Sequence, residues 1–140
     1  MNFGMFGAAA ALGISAFGSA IGLGIAGQAT IGAWKRCYMN NKAAPFILVA
    51  FAGAPLTQTI YGYLLMNFML ASTKDPWYLL GVGICSGLGI ASSAIAQGKA
   101  SAAGSDALAE TGKGFSQYIT IVGLCETVAL FVMVFGLISV

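Results

Sequence analysis

The chain has 140 residues, of which 59% are hydrophobic, 7% charged and none histidine, with a formal net charge of +2. A soluble domain carries roughly 25% charged residues, so this composition excludes an ordinary water-soluble protein and predicts a polytopic membrane protein. At about 20 residues per span the length holds some four membrane helices with no soluble domain beside them, and the few bases form no patch for nucleic acid.

Four apolar segments, residues 3–34, 43–72, 76–110 and 113–140, are predicted as spans. Continuous hydrophobicity of this length suits helices, which satisfy their own backbone groups in lipid. The N-terminal stretch MNFGMFGAAAALG has no basic residues ahead of its apolar run, so it is expected to begin the first span and not to be a cleaved signal peptide. Segments one and three are rich in small residues, including Gly13, Gly18, Gly22, Gly24 and Gly27 in the first and Gly81, Gly83, Gly87 and Gly89 in the third. Gly18–Gly22 and Gly83–Gly87 are G-x-x-x-G pairs that let helix backbones approach closely. Glycine at this density predicts many helices crowded into a narrow, tightly curved wall. Segments two and four are bulky.

The first connection, Lys35 to Lys42 (KRCYMNNK), carries three bases, and the second, Ser72 to Pro76 (STKDP), carries one. The third, at Thr111-Gly112, is read as flanked by Lys99 and Lys113. Connections one and three thus hold five bases against one for the second, which places them in the cytoplasm and both termini outside. Cys37, Cys85 and Cys125 are far apart and share no spacing with metal or disulfide motifs; Cys85 and Cys125 lie inside spans, where a thiol packs as a small residue.

A small-residue helix followed by a bulky one, twice over, reads as two tandem helical hairpins, residues 1–72 and 76–140, within one membrane domain. Aligning Leu56-Thr57-Gln58-Thr59 on Leu124-Cys125-Glu126-Thr127 sets Gln58 opposite Glu126. One copy of the hairpin then keeps an acid where the other has an amide.

Glu126 does not belong in hydrocarbon, where an acid costs on the order of 3 kcal/mol even on lenient insertion scales, and such residues mark ion pathways. Its own span offers no base to pair with it. Residues equally far from the turn of a helical hairpin lie at equal depth. Glu126 follows Lys113 by thirteen residues and Gln97 precedes Glu110 by thirteen, so the two are predicted to be level. Thr57, Gln58 and Tyr61 share a face by their spacing, and Gln58 lies sixteen residues beyond Lys42, at comparable depth. Pro55 removes a helix hydrogen bond, which frees a carbonyl near Ala54 to face a ligand.

A lone threonine in a membrane helix usually bonds its own backbone, and a lone glutamine usually ties helices together. The shared depth of Thr57, Gln58, Gln97 and Glu126 is what points beyond those roles. One carboxylate, two amides, a hydroxyl and a carbonyl offer oxygen to a hard cation with a single formal charge to balance, which suits sodium and disfavours a divalent ion. A proton also neutralises Glu126, but has no use for two glutamines and a threonine. A small secondary transporter exchanging a drug-like cation on Glu126 would call for aromatic lining, whereas the flanking residues are Val122, Val128 and Ala129. A purely structural four-span protein leaves the acid without purpose. With no phosphate loop, and with its glycines inside spans, the chain is expected to be non-catalytic.

The runs GSAIGLGIAGQATIG at 18–32, PLTQTIYG at 55–62, SSAIAQGKASAAG at 92–104 and CETVALF at 125–131 resemble the proteolipid of the membrane rotor ring in V-type (A/V-type) ATPases of bacterial and archaeal kind. The similarity covers nearly the whole chain. It implies a ring of identical four-helix subunits in a cell membrane, with the essential carboxylate at Glu126. In sodium-translocating members of the family Thr57, Gln58, Gln97 and the backbone carbonyl of Ala54 match the remaining ion ligands, and Tyr61 matches a tyrosine that hydrogen-bonds the carboxylate. It further implies a stator subunit that supplies an arginine and central-stalk subunits at the cytoplasmic connections. The chain departs from the family pattern in having Ala54 before Pro55 and Leu56, where glycine is common, after it.

Overall fold

The structure, a computed structural model, describes residues 2–140. Met1, the first residue of the expected first hairpin, lies outside the described residues. Helix α1 runs Phe3–Met39, α2 Leu48–Gly53, α3 Gln58–Ala71, α4 Pro76–Thr111 and α5 Phe115–Ser139, with a single 3-10 turn, Ala54–Leu56, between α2 and α3. Among the described residues there is no strand. Four stretches are long and apolar enough to cross a membrane: α1, Leu48–Ala71, α4 and α5. The all-helical, four-span architecture predicted from composition is the one present.

The helix ends follow from the local sequence. Asn2 caps α1, its side chain accepting from the Gly4 N–H at 3.1 Å. Asp75 caps α4 in the same way, accepting from Trp77 and Tyr78 N–H at 2.9 and 3.1 Å, with Pro76 at the first helical position, where its missing N–H costs nothing. Gly112, in left-handed conformation at φ 66°, ends α4, and its N–H bonds the Leu108 carbonyl at 2.8 Å.

Two expectations about the connections are corrected. Lys35 and Arg36 belong to the final turns of α1, which continues to Met39, so the first connection narrows to 40–47. Lys42–Pro45 has no regular secondary structure, consistent with the bias of a residue before proline against helix, and α2 begins only at Leu48. Lys99 lies inside α4, twelve residues before its last residue Thr111, and does not flank the third connection. The alanine-rich stretch that follows it stays helical, so the base count of five against one becomes two against one within the connections (Lys42 and Lys113 against Lys74), with Lys35 and Arg36 in the last turns of α1 beside the first connection.

The most extensive packing joins α1 to α4, the first helices of the two hairpins. They run in parallel, with Gly7 beside Leu79 and Leu80, Gly18 beside Ala91, and Gly22 beside Ala94 and Gly98. A Cβ added at Gly18, Gly22 or Gly98 would overlap the opposing backbone, so glycine there is a requirement of the close approach. Thr30 and Ser105 share a buried hydrogen bond of 2.9 Å across this seam, and Arg36 pairs with Asp106 at its exposed end. Helix α3 packs on α1, and α5 on α4. Helix α5 is the least buried of the spans, and Ile121, Leu124, Val128, Phe131 and Phe135 stand exposed along it.

Candidate ion-binding site

Glu126 sits eleven residues after the start of α5 at Phe115 and thirteen before its end at Ser139. At 1.5 Å per residue that puts it about 17 and 20 Å from the two ends, close to the middle of a span. The side chain is half-buried, between the α3–α4 surface and the exposed apolar face of α5.

Three donors converge on its carboxylate from two other helical segments. The Thr57 hydroxyl donates to Oε1 at 2.5 Å and the Tyr61 hydroxyl donates to the same oxygen at 2.6 Å. The Gln97 amide donates to Oε2 at 3.1 Å and to the Val122 carbonyl of α5 at 3.0 Å. Gln58, fully buried behind them, donates to the Gln97 side-chain oxygen at 2.5 Å. Buried polar groups need such partners, and this chain of amides supplies them from within the protein.

The backbone break at Pro55 puts Thr57 and Gln58 where they can reach. The Ala54–Leu56 turn interrupts the helix, Pro55 is buried against Gly22 of α1, and Thr57 lies in the joint between the turn and α3. The Thr57 hydroxyl then lies 2.5 Å from Glu126 Oε1 and 3.4 Å from both the Ala54 carbonyl and the Gln58 side-chain oxygen. It has one hydrogen for three acceptors. Given to the carboxylate, that hydrogen leaves two further oxygens gathered round the hydroxyl without it. Such a cluster of oxygens around one formal charge is the donor set a hard monovalent cation takes.

All the residues singled out from sequence (Thr57, Gln58, Tyr61, Gln97, Glu126 and the Ala54 carbonyl) are brought to this one level. From sequence, both glutamines are expected to offer oxygen to a cation, whereas here the Gln97 amide turns its N–H to the carboxylate. Its oxygen is engaged by Gln58. Sequence reasoning also missed Ser93, whose hydroxyl donates to the Cys125 carbonyl at 2.6 Å. The available signal was its position one helical turn before Gln97, on the same face of α4.

Comparison with known proteins adds an independent finding. Residues 80–139, the second hairpin, match the family model of the ATP synthase C subunit. The chain is also 37% identical over 130 residues to the A-type ATP synthase subunit K of Methanocaldococcus jannaschii, an alignment taking in 91% of this chain and 57% of that protein. The chain therefore spans little more than half the length of the curated relative it matches.

Proposed function

We propose, on the ATP synthase C-subunit signature of the second hairpin and the similarity to an A-type subunit K, that the chain is the ion-carrying rotor subunit of an A/V-type ATPase. Copies of it form a ring in the membrane. Each carries one Na+ on Glu126, with Thr57, Gln58, Gln97 and the Ala54 carbonyl as further oxygen ligands and Tyr61 as a supporting hydrogen bond. When the ion enters, the Gln97 amide turns over to face it with oxygen, and the Gln58 amide turns with it so that donor still meets acceptor between the two. The protein itself hydrolyses nothing: its work is to carry charge.

The physical logic is a charge gate. Three neutral donors orient the Glu126 carboxylate but leave its charge in place, and a bare carboxylate facing lipid is costly. An ion-loaded one is neutral and can pass. The ring therefore turns past lipid only with its sites filled. Each site empties and refills beside the stator, whose arginine faces an aqueous path. Connections 40–47 and 112–114 face the cytoplasm and the central stalk, and both termini lie outside. Rotation then couples ATP turnover elsewhere in the complex to ion transport across a bacterial or archaeal membrane.

The observation that carries the sodium reading is the oxygen cluster around Thr57 and Glu126. Its test is carbodiimide labelling of Glu126 in the purified oligomer at fixed pH. Sodium is expected to slow the labelling and potassium at equal strength to leave it unchanged. Protection by rising pH alone, with no effect of sodium, would assign the site to protons.

A further inference from the structure

Helix α5 carries the ion-site carboxylate, yet packing alone holds it weakly. Its buried residues are Val122, Ala129 and Gly136, one narrow stripe repeating every seven positions, with no large knob among them. In a membrane there is little hydrophobic drive between helices, so polar ties and close packing fix their relative rotation. Besides the three donors on the Glu126 side chain, two such ties reach the backbone of α5 at this level, both from α4: Gln97 to the Val122 carbonyl at 3.0 Å and Ser93 to the Cys125 carbonyl at 2.6 Å.

Ser93 is unusual among the helix hydroxyls. Its neighbour Ser92 bonds the Gly89 carbonyl of its own helix, as Ser15, Thr120, Thr127 and Ser139 bond carbonyls of theirs. That is the ordinary behaviour of serine and threonine in a helix. Ser93 is 4% exposed and reaches across to the peptide carbonyl immediately preceding Glu126. Gln97, by contrast, also touches the carboxylate and is committed to the site chemistry.

We infer that Ser93 is a positioning residue: it holds the turn of α5 that bears Glu126 at fixed height and rotation, so that the carboxylate meets Thr57, Tyr61 and Gln97 whether or not an ion is bound. The inference rests on the ion-site reading under Proposed function. It assigns to Ser93 no contact with the ion.

The test uses the full chain purified as its oligomer. Ser93→Ala is expected to raise the sodium concentration giving half-protection of Glu126 from carbodiimide by about three- to tenfold, the loss of one hydrogen bond. Ser93→Thr, which keeps the hydroxyl, restores it. Ser105→Ala removes a buried interhelical bond away from α5 and leaves it unmoved. Amide exchange across Cys125–Ala129 rises in Ser93→Ala and not in Ser105→Ala. Should Ser93→Ala fail to assemble, Ser93→Cys keeps the volume with a much weaker donor and carries the same expectation. Unchanged half-protection in Ser93→Ala, or an equal shift in Ser105→Ala, overturns the inference. If sodium fails to protect even the unmodified protein, the sodium reading falls by itself. Amide exchange then decides for Ser93, and unchanged exchange over Cys125–Ala129 overturns its role.

Discussion

The two hairpins place a polar residue at the same depth and treat it in opposite ways. Gln58 is fully buried at the start of α3, behind a helix broken by Pro55, and its amide is spent on Gln97. Glu126 is half-buried in the middle of an unbroken α5, beside exposed Leu124 and Val128. The first hairpin holds its amide at a fixed interior position, and the second holds its charge beside an exposed apolar surface. The division of labour lies in burial as much as in the difference between an amide and an acid.

The strongest way to break this comparison is to exchange the two residues. Glu126→Gln is expected to abolish both sodium-protected carbodiimide labelling and ion transport, since the only carboxylate at the site is gone. Adding Gln58→Glu returns an acid to the same depth but into a fully buried position. Burying an unpaired carboxylate costs several kcal/mol or forces it to stay protonated. The double variant should therefore recover no transport and should yield less assembled oligomer than Glu126→Gln alone. Recovery of sodium-protected labelling at position 58 would show the hairpins to be interchangeable.

A second variant separates helix stability from site geometry in the first hairpin. Pro55→Ala removes the cause of the 3-10 turn and favours a continuous helix, since proline costs about 3 kcal/mol in a helix interior. It should raise the resistance of residues 48–71 to amide exchange. It should also turn the Ala54 carbonyl back into the helix and disturb Thr57, raising the sodium needed for half-protection about tenfold, the equivalent of about 1.4 kcal/mol. Stability and affinity then move in opposite directions. A variant that gained stability and kept its affinity would remove the Ala54 carbonyl from the ligand set.

How far these features could be read in advance depends on whether they follow from position along one helix. The four spans, the isolation of Glu126 and its level with Gln97 all come from counting residues outward from a turn, because helical rise is fixed. The glycine pairs announced a close approach, and Gly18, Gly22 and Gly83 deliver it. Their partner was not legible: nothing in the order of the chain says that α1 runs beside α4 in parallel rather than chiefly against its own hairpin mate. The bases misled for a related reason. Lys35, Arg36 and Lys99 look like loop residues by charge, yet helix α1 carries its polar end past the apolar stretch, and α4 keeps Lys99 on an exposed face well before its end. Ser93 and the direction of the Gln97 amide depend on which side chain gives its hydrogen to which carbonyl, a choice made only when three helices meet.

The smallest effect is expected at Tyr61, and it sharpens the comparison from the side of the first hairpin. Tyr61 and Thr57 both donate to Glu126 Oε1, at 2.6 and 2.5 Å. Tyr61→Phe removes one of these donors while keeping nearly the whole volume of the ring, and the remaining donor still serves that oxygen. A hydrogen bond with a substitute close by loses less than the full value of one bond, so sodium half-protection should shift by only about two- to threefold. Thr57→Ala removes both a donor and an oxygen next to the carboxylate and should shift it further. If Tyr61→Phe matched or exceeded Thr57→Ala, the phenol would be the principal holder of the carboxylate. The first hairpin would then act mainly through a hydrogen bond from α3 and not through the oxygen cluster shaped by Pro55.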